Sequence, residues 1–296
     1  MPATPHLGTP ANSLQAPMVS VIMNFFNEER FIREAIESVV AQTYESWELL
    51  LADDGSTDSS TEIALEYADK RPGKIRYVEH PGHENCGTSA TRNLAFRHTR
   101  GALIAYIDAD DVWLEHKLAV QVPYILEHPE VDMLYATTKY WYSWTGLPED
   151  QAKDKLWQPV SEKSRFIPPQ LLSKFLDLKF SMPCIGSTLF RRAIIERVGG
   201  WDNEFRSLHD DQVFFTKMCL EGTIVVCPEL VDFYRRHSES TCAMAGKSVA
   251  LFRSQLKFLD WVEAEFKRRS FVDDECWAIL ERRRTQALHD LSNAEF

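Results

Sequence analysis

Apolar and polar positions in the first half of the chain form two kinds of segment: short β-branched or aliphatic runs, and longer stretches with apolar residues every three or four positions. The short runs predict strands, and the longer stretches predict amphipathic helices. The predicted strands are residues 18–24, 47–52, 74–79, 103–107 and 131–136. The predicted helices between them are residues 28–42, 59–70, 87–100 and 115–128, the first preceded by Asn27 as its expected N-cap. Strands separated by helices of this length predict an α/β fold with a mostly parallel sheet.

The pattern loosens after residue 136. Residues 137–180 are rich in Trp, Tyr and Pro and keep no sustained period, which predicts an irregular insertion or lid. Beyond it, short apolar runs predict strands at residues 185–190, 223–227 and 230–235. Helical spacing returns at residues 193–198, 212–221, 247–269 and 273–290.

The strand predicted at residues 103–107 ends at three closely spaced carboxylates, Asp108, Asp110 and Asp111. Three such groups repel one another, so the cluster is either a solvated acidic turn or a site for a divalent cation. A second acidic cluster, residues 53–58, follows the second strand, and polar residues 24–27 follow the first. The carboxyl ends of parallel strands meet at one edge of a sheet, where ligands bind in α/β folds. The two clusters together favour a ligand site over a solvated turn.

Composition removes several classes of function. The chain has 296 residues, 44% of them hydrophobic and 26% charged, as in a globular protein. A net charge of −11 argues against nucleic acid as the main partner, because that binding uses clustered Lys and Arg. Neither a P-loop nor a dinucleotide-binding glycine motif is present, which argues against kinases, ATPases and dehydrogenases.

Cysteine spacing and hydropathy bear on location. Six cysteines are scattered without a C-x-x-C pair, as in a cytoplasmic protein with reduced thiols. Residues 1–17 have four prolines and no signal-peptide pattern, and no later stretch has the apolar length of a membrane span. We expect residues 1–17 to be a flexible lead. We expect a cytoplasmic protein that is soluble or, at most, attached to the inner face of a membrane.

Several segments together resemble the family 2 glycosyltransferases of the GT-A fold. In the family's order they are VSVIMNFFNEERFIREAIESVVAQTYESWELLLADDGSTDSS, GTSATRNLAF, LIAYIDADDVW, GSTLFRRAIIERVGGWDNEF, HDDQVFFTKMCLEG and YRRHSEST. The resemblance covers about residues 19–241 and implies a Rossmann-like, mostly parallel α/β sheet flanked by helices. It divides this stretch into a nucleotide-sugar-binding half (18–136) and an acceptor-binding and catalytic half (137–241). The residue pattern adds a flexible N-terminal lead (1–17) and a C-terminal helical extension (242–296).

The resemblance implies an inverting transfer of a sugar from a nucleotide-diphosphate sugar, first of all a UDP-sugar, to an acceptor hydroxyl. The acceptor would be a glycan, a lipid-linked sugar or another hydroxyl compound in polysaccharide or glycoconjugate synthesis. Mn²⁺ or Mg²⁺ is expected, because a divalent ion shared with the diphosphate stabilises the departing charge. The alternative is a noncatalytic module that binds a nucleotide sugar or glycan. The presence of every carboxylate that the family's reaction needs counts against that alternative.

The family's motifs assign ribose or metal roles to four residues of this chain. Asp108 is expected to face the ribose and Asp110 to bind the metal. Asp111 is an alternate or additional ligand. His237 matches the late Y-R-x-H segment, where it would close over the diphosphate or the ion, and a plain surface or hydrogen-bonded role stays open for it.

The remaining donor contacts are expected at the first two strand ends and on one helix. Asp54 would accept an N–H of the base with Asp53 beside it, although Asp53 could instead cap the following helix. Asn24 and Glu28 would contact the nucleotide, with a backbone-turn role open for Asn24. Arg92 would reach the phosphates or pair with the acidic cluster, and a structural ion pair is the alternative.

Catalysis and acceptor binding are assigned to the second half of the chain. Asp211, the second acid of an acidic pair before a helix, would be the general base that takes the acceptor's proton. Asp210 would contact the acceptor, and both acids also suit a helix N-terminus because of its dipole. Trp201 would offer an aromatic face to the acceptor sugar, with core packing as the alternative.

Overall fold

The computed structural model describes residues 18–178, 182–246 and 248–294, so the predicted flexible lead lies outside the described residues. The strands are β1 (Val19–Phe25), β2 (Trp47–Asp53), β3 (Ile75–Glu79), β4 (Leu103–Asp108), β5 (Val112–Trp113), β6 (Met133–Trp141), β7 (Lys155–Trp157), β8 (Ser164–Phe166), β9 (Leu189–Arg191) and β10 (Ile224–Arg235). The helices are α1 (Ile32–Val40), α2 (Ser60–Lys70), α3 (Thr88–His98), α4 (Lys117–Glu127), α5 (Pro148–Gln151), α6 (Leu172–Leu176), α7 (Arg192–Arg197), α8 (Asp210–Glu221), α9 (Thr241–Ala245), α10 (Val249–Arg268) and α11 (Asp274–Ala294).

Within the described part of the chain these strands form one mixed sheet. Its order is β3-β2-β1-β4-β9-β6-β10-β5, with β7 beside β6 and β8 beside β10. The strands β3, β2, β1 and β4 run parallel, as predicted from the alternation of strands and helices. Strand β9 runs antiparallel to both β4 and β6, so it joins this parallel half to the parallel pair of β6 and β10.

Local details differ from the sequence predictions. The strands predicted at residues 223–227 and 230–235 are one strand, β10, whose register against β6 shifts between Val226 and Leu230. The strand predicted at residues 185–190 is a 3-10 turn, Ile185–Ser187, followed by β9. Asn27 does not cap α1: its φ is 57°, and its side chain accepts a hydrogen bond from the Thr57 N–H at 2.7 Å.

The sheet is buried on both faces, as the apolar run of β4 predicts. Leu103, Ala105 and Ile107 pack into a cluster with apolar residues of α1, α2 and α4. Ile104 and Tyr106 pack into a second cluster with α8 and the C-terminal helices. Because side chains alternate along a strand, a continuous apolar run fills both layers.

The C-terminal helices dock on the rest of the chain. Phe258, Val262 and Phe266 of α10 are fully buried in the same cluster as Phe214 of α8. This packing accounts for the apolar stripe of α10. Among the described residues, no helix has the length and apolar character needed to cross a membrane. The cysteines at positions 86, 184, 219, 227 and 276 are free thiols.

Candidate active site

Three adjacent strands place polar side chains at one edge of the sheet. In the β1–β4 pair Asn24 lies opposite Asp108, and in the β1–β2 pair Phe25 lies opposite Asp53. The parallel register therefore brings the ends of β1, β2 and β4 to the same height. Ligands of α/β folds bind beyond such an edge.

Arg92 of α3 is buried at this edge and forms hydrogen bonds with three side chains from different elements. Its Nε donates to Asn24 Oδ1 at 2.9 Å, and its Nη2 donates to Asp108 Oδ1 at 2.7 Å. Its Nη1 donates to Asp210 Oδ2 at 3.1 Å. The residue is only 4% exposed. Arg92 therefore pairs with Asp108 and Asp210 and ties both halves of the chain together.

Asp210 and Asp211 are the first two residues of α8, where the helix dipole favours negative charge. Burial raises the pKa of Asp210 to about 7, and the nearby Arg92 opposes that shift. Asp211 is less enclosed, and its Oδ1 accepts a hydrogen bond from the Gln212 N–H at 2.7 Å. Burial also raises the pKa of Asp211. A carboxylate with a raised pKa is a stronger base, which suits proton removal from a hydroxyl.

Trp201 lies beneath this network. Its ring stacks on Phe214 with centroids 4.1 Å apart and planes 10° from parallel, and the Arg92 guanidinium lies 4.2 Å from its centroid. The residue is 3% exposed. With one face on Phe214 and the other under Arg92, the ring offers no surface to a sugar in this conformation. This geometry does not support the expected contact of Trp201 with the acceptor. The position of the ring instead lets Trp201 support the Arg92 guanidinium.

The structure brings Asp110 and His237 together at the end of β4. His237 Nε2 lies 3.0 Å from Asp110 Oδ2, and the imidazole packs on Phe31 with centroids 4.9 Å apart. Asp111 differs from its neighbour: it is 1% exposed, and its Oδ1 accepts a hydrogen bond from the Arg235 N–H at 2.8 Å. Burial, together with the charge of Asp110, raises the pKa of Asp111 well above its usual range. The Oδ1 of Asp111 thus holds the backbone of β10, whereas its buried Oδ2 has no hydrogen-bond partner among the described residues.

A divalent cation fits Asp110 and His237. Within the described residues, no group of three His, Cys, Asp or Glu side chains is arranged to hold a metal ion. Mg²⁺ is usually held by one or two protein carboxylates together with substrate phosphates, so the Asp110 carboxylate is a suitable partial site, and the His237 imidazole adds a nitrogen donor of the kind that transition metals accept. Burial and the charges of Asp110 and Asp108 raise the pKa of Glu28 to about 8, so Glu28 lies within the same field of negative charge. A cation would neutralise that field.

Both acids at the end of β2 hold loops. The Oδ1 of Asp53 accepts from the Ser56 N–H at 2.8 Å, and its Oδ2 accepts from the Thr61 hydroxyl at 2.6 Å. Asp53 therefore shapes the entry to α2 rather than capping it, because Ser59 is the N-cap residue.

Asp54 turns to the opposite side and holds the start of α3. Its Oδ1 accepts from the Cys86 N–H at 2.7 Å and from the Thr91 hydroxyl at 2.9 Å, and its Oδ2 accepts from the Gly87 N–H at 3.0 Å. A carboxylate has about four acceptor sites, so Oδ2 keeps capacity for one more donor, such as an N–H of a base. Gly55 follows with φ of 81°, and a Cβ there would lie 2.7 Å from the His83 carbonyl oxygen. Only glycine lets the 83–85 loop approach this closely.

Two residues near the site, Arg235 and Phe26, were not among the site residues predicted from the sequence. Arg235 is enclosed by aromatic rings, lying 4.7 Å from the Phe31 centroid and 4.5 Å from the Trp141 centroid. Its Nε donates to the Asp110 carbonyl at 2.6 Å, so it braces the loop that carries Asp110 from the interior side. Phe26, at the exit of β1, is 45% exposed and lies at the ligand edge. The apolar pair Phe25–Phe26 carries no sequence signal that separates the buried ring from the exposed one.

Comparisons with known proteins give consistent likenesses. A profile of the family described as "Glycosyl transferase family 2" matches residues 20–199. An uncharacterized glycosyltransferase of Nostoc sp. is 27% identical over 235 residues, which are 78% of this chain and 69% of that protein. The UDP-Glc:alpha-D-GlcNAc-diphosphoundecaprenol beta-1,3-glucosyltransferase WfgD of Escherichia coli is 37% identical over 111 residues, which are 38% of this chain and 42% of that protein.

Two solved structures share the fold. Residues 1–349 of the TarS protein of S. aureus, in complex with UDP-GlcNAc, superpose with a TM-score of 0.66 at 18% identity, over 92% of this chain and 72% of that chain. The mannosyltransferase PcManGT of Pyrobaculum calidifontis, solved with GDP-Man and Mn²⁺, gives a TM-score of 0.62 at 20% identity. That match covers 95% of this chain and 74% of the other. The predicted GT-A architecture is confirmed by these likenesses.

Proposed function

Because this chain belongs to glycosyl transferase family 2, we propose that it is an inverting transferase that moves a sugar from a nucleotide-diphosphate sugar to an acceptor hydroxyl. The observation that carries the proposal is the bridge through Arg92, which joins Asp108 at the end of β4 to Asp210 at the start of α8. The bridge puts a donor-side carboxylate and the acidic pair of α8 in one hydrogen-bonded network. Such an arrangement suits a single displacement between donor and acceptor.

The donor would lie along the ends of β1, β2 and β4. Asp108 would face the ribose, and the free capacity of Asp54 Oδ2 suits an N–H of the base. Asn24 and Glu28 line the same edge, and the exposed ring of Phe26 offers a face for stacking the base. A UDP-sugar is the first choice. The likeness to proteins solved with UDP-GlcNAc and with GDP-Man supports the nucleotide-sugar class.

A divalent ion, Mn²⁺ or Mg²⁺, would be held by Asp110 and His237, with the unpartnered Oδ2 of Asp111 as an additional ligand. When bound, such an ion neutralises the charge that develops on the nucleoside diphosphate as it leaves. Arg235 would keep Asp110 in place through its carbonyl, and Asp53 would hold the turn beside the base. The likeness to a protein solved with Mn²⁺ supports this choice of metal.

Asp211 would act as the general base. Its carboxylate would take the proton of the acceptor hydroxyl while the oxygen attacks the anomeric carbon from the face opposite the diphosphate, which inverts that centre. Asp210 would keep its place through Arg92 and border the acceptor. The acceptor would be a glycan or lipid-linked sugar in polysaccharide or glycoconjugate synthesis, and the E. coli relative is named for a lipid-linked sugar of this class.

A donor screen followed by product analysis tests the proposal. UDP-, GDP- and dTDP-sugars are offered with and without Mn²⁺, binding is followed by thermal shift, and nucleotide release is measured with acceptor mixtures. We expect one nucleotide class to stabilise the protein only when Mn²⁺ is present, and NMR of the product to show the inverted anomer. A retained anomeric configuration, or metal-independent binding of that donor, would contradict the proposal.

A further inference from the structure

A pair of buried charges lies outside the site described above. Lys117 is the first residue of α4, and Asp232 lies within β10; both are fully buried. A fully buried charge needs compensating polar partners. Among the described residues no direct salt bridge joins these two side chains: Lys117 donates to two oxygen acceptors, and Asp232 accepts from the Thr138 hydroxyl. Burial lowers the pKa of Lys117 to about 7 and raises that of Asp232 to about 7, and the attraction between the two charges opposes both shifts. No step of the proposed reaction uses either group.

Lys117 holds the 3-10 turn Ile185–Ser187. Its Nζ donates to the Thr188 carbonyl at 3.0 Å and to Gln121 Oε1 at 2.6 Å. Gln121, one helical turn later, donates through Nε2 to the Ser187 carbonyl at 2.8 Å. Two side chains of one helix therefore hold successive carbonyls at the exit of this turn.

Asp232 supports the same turn from the sheet. Its Oδ1 accepts a hydrogen bond from the hydroxyl of Thr138, its neighbour on β6, at 2.7 Å. Trp113 lies directly opposite it on β5, with the Lys117 ammonium 4.3 Å from the indole centroid. The Oδ2 of Asp232 lies 2.7 Å from the point that a Cβ on residue 186 would occupy. Gly186 therefore rests on the carboxylate, and any side chain there would displace one of the two.

The 3-10 turn Ile185–Ser187 borders the proposed donor site. Cys184 immediately precedes it, and burial raises the pKa of that thiol well above its usual range, with the charges of Asp232, Asp111 and Asp108 adding to the effect. The turn Ile185–Ser187 packs directly against β4, the strand that ends at Asp108. A shift of the turn would be transmitted to that strand end.

We propose that Lys117 and Asp232 form a positioning pair that fixes the turn Ile185–Ser187 as a wall of the donor site. The pair touches neither donor nor acceptor and acts only through this turn. The inference rests on the proposed transferase function. The inference goes beyond the proposed function because Lys117 and Asp232 lie outside the donor, metal and base positions.

A double-mutant cycle tests the pair. Lys117→Met, Asp232→Asn and the double variant are assayed well below their unfolding temperatures, and Gly186→Ala displaces the turn without removing a charge. Because a misplacement of about 1 Å can cost about a hundredfold in rate, we expect each variant to lose at least tenfold in kcat while the donor KM changes less than threefold. The double variant should lose no more than the worse single variant, because both residues act through one element.

A matched pair at the other end of the sheet controls for stability. Arg76 Nη2 lies 2.7 Å from Glu48 Oε2 near the amino ends of β2 and β3. Arg76→Met and Glu48→Gln should lower the unfolding temperature and leave kcat unchanged. If Lys117→Met and Asp232→Asn behave like these controls, or if their losses in kcat multiply, the positioning role is overturned.

Amide hydrogen exchange separates this inference from the proposed function. In Lys117→Met we expect exchange at residues 187 and 188 to rise at least tenfold, with no rise in the Arg76→Met control. Unchanged exchange at the turn would overturn the positioning role even if the wild-type chain transfers sugar. Absence of transfer by the wild type on every donor would instead overturn the proposed function, and the exchange result would still decide the role of the pair.

Discussion

Arg92 and Asp210 meet at 3.1 Å although 118 positions separate them in the chain. The same guanidinium holds Asp108, so one cation neutralises carboxylates from both halves of the chain. A buried charge network of this kind is sensitive to the loss of one member, because the others are then left unpaired in a medium of low dielectric constant. Several consequences can be measured.

Arg92→Lys should lower kcat by about 10- to 100-fold and destabilise the fold by about 2–3 kcal/mol. A lysine ammonium keeps the charge but lacks the planar fork that reaches three partners at once. Transfer assays and chemical unfolding measure the two effects. Arg97→Lys, an exposed change on the same helix, is the control and should alter neither. Wild-type kcat in Arg92→Lys would show that charge alone suffices.

Asp211→Asn should reduce transfer by about 10²–10⁴-fold and leave donor binding nearly unchanged, because only the acceptor's proton loses its destination. Calorimetry with the donor nucleotide and single-turnover transfer separate the two quantities. Asp210→Asn provides the comparison and should lose less in rate, because Arg92 keeps its bonds to Asp108 and Asn24. A parallel fall of affinity and rate in Asp211→Asn would contradict its role as base.

His237→Ala and Asp110→Asn should each weaken Mn²⁺-dependent nucleotide binding at least tenfold. Mutation of residues that only hydrogen-bond to a metal ligand already costs about 10- to 100-fold in metal affinity. Asp110 and His237 would contact the ion directly, so their loss should cost at least as much. Titration of nucleoside diphosphate with and without Mn²⁺ measures the effect. His98→Ala, an exposed histidine on α3, should leave it unchanged. Equal Mn²⁺ dependence in all three variants would remove Asp110 and His237 from the metal site.

The sequence was sufficient for the parallel half of the sheet and for the edge where its polar residues gather. Apolar runs alternating with helical spacing are local signals, and the register that sets Asn24 opposite Asp108 follows once the strands are parallel. The reversal of β9 between β4 and β6 depends on tertiary packing, because a three-residue strand carries no directional signal of its own.

The division of roles within the site could not be derived in the same way. Asp110 and Asp111 are adjacent in sequence, and the turn closed by the Asp111 N–H on the Asp108 carbonyl decides which of them faces His237. Trp201 illustrates the same limit. An aromatic residue in a glycine turn can face a ligand or the core, and only the positions of Phe214 and Arg92 decide between them. Such outcomes depend on contacts between distant segments.

His209 should make the stability of the fold depend on pH between about 6.5 and 4. It immediately precedes α8 with φ of 63°, its Nδ1 lies 2.9 Å from Ser254 Oγ on α10, and its ring stacks on Phe258. Burial and the nearby Arg283 lower its pKa to about 4. The unfolded chain therefore binds a proton below pH 6.5 that the folded chain refuses until about pH 4, so stability falls as the pH falls through this window.

Chemical unfolding at pH 7 and pH 4.5 measures this effect in the wild type and in His209→Asn. Asparagine tolerates a positive φ and does not titrate, so the variant should lose about 2 kcal/mol less than the wild type between the two pH values. His289→Asn, at an exposed position on α11, is the matched control and should retain the wild-type dependence. The comparison between variants removes the contribution of the carboxylates, which titrate in both. If His209→Asn loses as much stability as the wild type, the histidine is not the group that links α10 to α8 in a pH-dependent way.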